Sequence, residues 1–158
     1  MARGSVTVEV VVDADAEMTW AAVTDWAWQG EWMLGTTVEG TELGGVGVGG
    51  GIRAVTGIAG RGVVDTMVIT AWDPPHVCDV LHTGKIVRGT GRFEVVALPG
   101  GRSRFIWSEE LELPLGLLGA ISWPLVRPLF AFGVRRSLLT MARLTPTRPR
   151  PPVTGAPS

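Results

Sequence analysis

The sequence predicts an α+β domain in which an antiparallel sheet lies against one long C-terminal helix. Three observations carry this. From about Ser5 to Leu113 the chain reads as successive strands, rich in β-branched residues and punctuated by glycine and proline turns. From Val126 to Leu144, at 100° per residue, Val126, Phe130, Gly133, Val134, Ser137, Met141 and Leu144 share one side. Arg135, Arg136 and Arg143 take the other, which makes an amphipathic helix of about five turns. The connections between the later strands are short, as antiparallel neighbours require. Neither the sheet nor the helix buries its apolar face alone, so the two pack together with an apolar space between them.

The elements follow in order. Ser5 to Val12 is a β-branched first strand. Asp13 offers an N-cap, Asp15 and Glu17 suit a first helical turn, and the helix runs to about Thr24 with Ala16, Trp20 and Val23 on one face. Asp25 caps a second short helix, Trp26 to Met33. Its Trp26, Trp28 and Trp32 either cover one end of the sheet or line the mouth of a pocket, as a flat apolar ring with one N–H suits. Strands are expected over Thr36 to Leu43, Ile52 to Thr56, Gly62 to Trp72, His76 to Thr83, Ile86 to Leu98 and Arg102 to Leu113. Asp73–Pro74–Pro75, Gly84–Lys85 and Pro99–Gly100–Gly101 supply turns. Pro124 and Pro128 fit in or before the first turn of the long helix. Residues 145–158 are proline-rich with few bulky apolar groups and read as a disordered tail, which leaves residues 1–144 as one domain.

The totals narrow the classes. At 158 residues the chain buries roughly 70% of its extended surface, enough for a core without metals or disulfides. The net charge of −1 gives no reason to expect nucleic acid. A single cysteine, Cys78, excludes an internal disulfide. The opening apolar run alternates with polar residues and meets Asp13 without a cleavage pattern, so it is not a signal peptide. The uncharged run from Leu113 to Val126 is shorter than the roughly 20 residues of a spanning helix. The expectation is a cytoplasmic protein without stable membrane insertion. The absence of tyrosine and asparagine suits a GC-rich bacterial genome.

Several motifs fail on physical grounds. Gly45, Gly47 and Gly50 match G-x-G-x-x-G, but the stretch leads into IRAVTGIAG, which is strand-like, rather than into a helix. His76, Cys78 and His82 share parity, yet the two histidines stand roughly 20 Å apart on a strand, so no zinc ion joins them. Cys78 reads as a small core residue and not a nucleophile. Parity along the strands puts Asp65, His82 and Glu109 among apolar neighbours. A buried carboxylate needs a partner or a purpose. These three either form a structural pair, such as Asp65 with His82, or anchor a ligand's polar end, or exchange protons with a substrate. Arg88, Arg92 and Arg104 face outward with Glu94 and Glu110 in cross-strand pairs. Phe132, Leu138 and Leu139 lie off the inner helix stripe and have three possible neighbours, Trp123 with the Leu115–Leu118 segment, another subunit or a membrane surface, of which contact within the chain is the one expected.

The order of elements resembles the helix-grip fold of the START, Bet v 1 and polyketide cyclase superfamily, SRPBCC. The residues that carry the resemblance are VTVEVVVDADAEMTWAAVTDW, GVVDTMVITAWDPP, GTGRFEVVALPGGRSRFIW and the closing VRRSLLTMARL. The resemblance implies a seven-stranded antiparallel sheet wrapped around the last helix, with two short helices after strand one and a cavity for an apolar ligand. It brings no shared catalytic residues and no cofactor. Trp26, Trp32, Met67, Val80, Phe93, Trp107, Phe130, Val134, Ser137 and Met141 are the expected ligand contacts. The function it implies is binding of a hydrophobic small molecule, a lipid, polyketide or aromatic metabolite. The alternative is a cyclase or dehydratase working in the same cavity through Asp65, His82 or Glu109. A third reading is a lipid-handling protein that docks on membranes through Leu115–Leu118.

Overall fold

In the computed structural model, which describes residues 2–59, 61–113 and 115–152, seven strands form one antiparallel sheet around a long helix. The strands are β1 (Arg3–Val12), β2 (Thr36–Gly40), β3 (Gly51–Ile58), β4 (Arg61–Asp73), β5 (Val77–Thr83), β6 (Arg88–Leu98) and β7 (Arg102–Glu112). Their order is β1-β7-β6-β5-β4-β3-β2, so every neighbour but β1–β7 is a neighbour in sequence. This is the expected helix-grip arrangement.

Helix α1 (Ala16–Val23) starts where Asp15 accepts a hydrogen bond from the Met18 N–H at 2.9 Å. It is fastened to the sheet by a buried hydroxyl relay. Ser103 Oγ donates to the Ala14 carbonyl at 2.9 Å, so its lone pair takes the Thr19 hydroxyl at 2.7 Å. A 3₁₀ turn over Trp26–Glu31 follows, capped by Asp25. Its Gln29 amide donates to the Val23 carbonyl and its Trp26 indole to the Gly45 carbonyl, both at 2.8 Å. The glycine-rich stretch thus seats a tryptophan. Gly45 has φ +72°, and a methyl group there would lie 2.5 Å from Trp26 Nε1.

Helix α2 spans Leu117–Leu144 and begins well before Val126. Pro124 and Pro128 therefore stand inside it and not at its start. Each withholds one N–H from the helical ladder. The C-terminal half of α2 forms part of the core: Leu138 and Met141 are fully buried with Phe105, Val12 and Val95. Leu138, expected off the inner stripe, thus meets the core, whereas Phe132 and Leu139 are exposed. More than half of each of these two residues stays open, at 62% and 51% exposure.

The tail expected to be disordered continues as a 3₁₀ turn over Thr145–Thr147. Arg148 then pairs with Asp25 at 2.7 Å while its guanidinium lies 4.1 Å from the centre of the Trp28 ring. Arg150 reaches Asp15 at 2.8 Å. Residues 153–158 of that tail lie outside the described residues. The outward cations find other acids than those expected: Arg92 chelates Asp79, Arg88 meets Glu112, and Glu110 meets Arg3.

Candidate functional site

The sheet and α2 enclose an apolar cavity of about 620 Å³. Met67 on β4, Val80 on β5, Phe93 on β6 and Trp107 on β7 line it from the sheet. Phe130, Val134 and Ser137 close it from α2, and Trp26 closes the inner end. Phe93 meets Trp107 and Phe105 edge to face, with ring centres 5.3 and 5.1 Å apart, which makes a stiff aromatic wall.

Trp32 and Met141, expected as ligand contacts, do not line the cavity. Trp32 is packed beside Trp28, and its indole N–H has no partner among the described residues. Met141 is fully buried where α2 closes on the core, and its sulfur accepts the Thr145 hydroxyl at 3.2 Å. The cavity lies under the middle of α2, so the inner stripe changes from wall to core after Ser137. Sequence reading missed further lining residues, among them Gln29, Leu34, Ala54, Thr56, Val87 and Leu129.

One charged cluster interrupts the wall. His82 Nδ1 faces both Asp65 oxygens at 3.0 and 2.9 Å, and His82 Nε2 faces Glu109 Oε2 at 2.9 Å. The Trp107 indole donates to Glu109 Oε1 at 2.7 Å. The side chains of His82, Asp65 and Glu109 are 4%, 19% and 9% exposed. The structural pair expected between Asp65 and His82 is thus formed, with Glu109 as a second acid.

The register explains how three strands reach one point. Met67 of β4 lies opposite His82 of β5, which puts Asp65 diagonally beside the ring. Glu109 is two strands from His82, roughly 10 Å across β6. The β6 residues in between are Gly89, opposite His82, and Gly91, opposite Glu109. With no side chains there, imidazole and carboxylate meet over the bare backbone. A methyl group at Gly91 would lie 3.0 Å from both Glu109 carboxylate oxygens and from Val80 Cγ2. Gly91→Ala is expected to lower stability by about 1–3 kcal/mol through this overpacking, read by urea denaturation.

Burial alone would push the His82 pKa down. Hydrogen bonds to Asp65 and Glu109, with their negative charge, outweigh it and raise the imidazole from 6.5 to about 9. At neutral pH His82 is therefore a cation, and both of its N–H groups donate to carboxylates. Burial pushes the Cys78 thiol up to about 12, so it is no nucleophile at neutral pH. His76 turns away, with Nδ1 at 3.3 Å from the Val95 carbonyl. Among the described residues no group of three or more His, Cys, Asp or Glu is arranged to hold a metal ion.

The sequence pattern of the family described as polyketide cyclase / dehydrase and lipid transport matches residues 3–145. The chain belongs to that family. No curated protein matches it in sequence. Solved structures share the family's fold at low identity. The Thermus thermophilus protein TTHA0849 is similar with a TM-score of 0.74 and 17% identity, over 91% of this chain and 98% of that one. The Zhui aromatase/cyclase from a Streptomyces species has a TM-score of 0.72 and 19% identity, over 93% and 96%. Norcoclaurine synthase from Thalictrum flavum, in complex with dopamine and hydroxybenzaldehyde, has a TM-score of 0.66 and 15% identity, over 94% and 89%. At these identities the likeness establishes the helix grip alone. This member of the polyketide cyclase / dehydrase and lipid transport family therefore has to be read from its own cavity.

Proposed function

We propose that the protein binds one hydrophobic small molecule in the cavity, with the molecule's polar end against Asp65, His82 and Glu109. The observation that carries this is the contrast within one space: about 620 Å³ of apolar wall broken by a single charged cluster. The hydrogen-bond count of the cluster narrows the ligand. Both His82 N–H groups and the Trp107 N–H are already donated to carboxylates. What remains for a ligand is carboxylate lone pairs, which are acceptors only. One imidazolium between two carboxylates also leaves a formal charge of −1. The favoured polar end is therefore a donor, a phenol, an alcohol or an amine, and a fatty-acid carboxylate is repelled.

The alternative reading is a cyclase or dehydratase in the same cavity, which the family's description and the titratable cluster support. In that reading Asp65 or Glu109 takes the proton, because His82 is already protonated at neutral pH and has no lone pair to act as a base.

An environment-sensitive apolar dye tests the binding reading. Val80→Phe places a ring into the cavity from the middle of the sheet. Dye affinity is expected to fall at least about tenfold, the equivalent of one methylene-scale mismatch repeated over a bulky ring. Displacement from the wild type is expected with long-chain phenols or amines and not with the matching carboxylic acids. Equal dye binding by Val80→Phe, or no binding by either protein, overturns the reading.

A further inference from the structure

The cavity opens at one end of the sheet, and that end has the chemistry of a lipid–water boundary. There the β3–β4 and β5–β6 tips and the start of α2 come together, as β3 ends at Ile58, β6 starts at Arg88 and β7 ends at Glu112. The apolar side chains at this end are exposed: Ile58 by 86%, Ile86 by 67%, Leu117 by 76%, Ile121 by 65% and Leu125 by 80%. Residues 117–126 carry no charge. The helical run Leu117–Thr147 is long and apolar enough to cross a membrane by length and composition, and only 6% of its apolar stretch is buried. The expectation drawn from the uncharged run alone therefore understates this helix. Its buried C-terminal half ties it to the sheet, so the exposed half is available at the surface and not for spanning.

Charge at this end selects the partner. Arg61 and Lys85 stand on the two tips beside Ile58 and Ile86, and Arg127 ends the uncharged run, where its Nε donates to the Ser5 carbonyl at 2.9 Å. All three are exposed and form no ion pair among the described residues. Of the acids on the adjoining strand ends, Glu110 and Glu112 are taken by Arg3 and Arg88, and Asp65 and Glu109 by His82 inside the cavity. Asp13, Asp15, Glu42 and Asp73 sit at the opposite end of the sheet. A two-fold contact between copies through this face would press together two surfaces that carry the same three unpaired cations, whereas an anionic surface receives all three.

We propose that this end docks on an anionic lipid bilayer, with α2 and the two tips in the head-group boundary and the cavity mouth turned to the lipid. The proposal rests on the surface and not on what the cavity holds. Co-sedimentation of the full chain with vesicles tests it, comparing phosphatidylcholine alone with phosphatidylcholine plus phosphatidylglycerol. The wild type is expected to pellet with the anionic vesicles and to be released by salt. Arg61→Glu with Lys85→Glu is expected to weaken this at least about tenfold, since each basic residue near such a surface adds several-fold affinity. Leu117→Asp with Leu125→Asp is expected to abolish it. These residues lie outside the cavity, so unchanged circular dichroism and dye binding in the variants separate lost docking from a failed cavity. A wild type that stays in the supernatant, or variants that pellet equally, overturns the proposal. So does a dimer in sedimentation velocity that Leu125→Asp dissolves, because a second copy then covers the face.

Discussion

Glu109→Ala is expected to destabilise the protein by about 3–5 kcal/mol in urea denaturation at neutral pH. The substitution leaves the His82 imidazolium with one acid in place of two, in a wall where its side chain is 4% exposed. It also strips the Trp107 N–H of its acceptor, a bond of 2.7 Å. Breaking a buried charge network from one side exposes the full desolvation penalty of what remains. Removing the whole network has a different outcome. In Asp65→Leu/His82→Leu/Glu109→Gln no buried cation remains, and the new side-chain amide still offers Trp107 an oxygen. That combination is expected to recover most of the lost stability, because apolar groups of similar volume replace a buried ion set at little net cost. Its dye affinity is expected to stay near that of the wild type while its preference for phenols and amines over carboxylic acids disappears. A protein in which Glu109→Ala unfolds at wild-type urea has no buried charge network at this point.

Stability is expected to fall as the pH rises from about 6.5 to about 9. The folded His82 pKa is raised above its unfolded value, to about 9 from 6.5. Below 6.5 the imidazole is protonated in both states and the network contributes in full. Between the two values the unfolded state releases its proton while the folded state keeps it, so stability drops with each unit. The loss through this window is on the order of 3 kcal/mol. The other shifted groups, Asp15, Glu42, Cys78 and Arg92, act outside this window. Asp15 is held below its usual 3.8, chiefly by the Met18 backbone N–H, so its contribution is lost only as the pH falls into the acid range. Burial of the Cys78 thiol lowers stability only above about pH 9. The slope between 6.5 and 9 therefore belongs to His82, and His82→Gln is expected to flatten it. A wild type with constant stability across that window contradicts the ion network.

Alternation along strands is enough to place Asp65, His82 and Glu109 on the inner face, and to suggest that Asp65 and His82 meet. Period-2 geometry fixes a side chain's face whatever its neighbours do. The bridge from His82 to Glu109 is not legible, because it depends on two glycines of a third strand lying between them. Gly89 and Gly91 carry no local signal beyond weak strand propensity, and only the register shows what they leave open. The start of α2 is misplaced by the sequence pattern for a related reason. Pro124 and Pro128 read as start signals, yet α2 runs through both, since a helix already held by β1 tolerates two missing N–H groups. Trp32 and Met141 enter the expected ligand set because pattern gives the face of a side chain and not its depth along the cavity. Arg148 is lost in a proline-rich segment whose composition hides a stacking partner and an acid far away in sequence.

The most direct test of the cavity reading is native mass spectrometry of the full chain, incubated with a mixture of long-chain phenols, amines and carboxylic acids. The wild type is expected to carry one added molecule, drawn from the phenols or amines, and Val80→Phe is expected to carry none. Wild-type protein that always flies at its bare mass, or that gains mass equally with Val80→Phe, contradicts a ligand held between the sheet and α2.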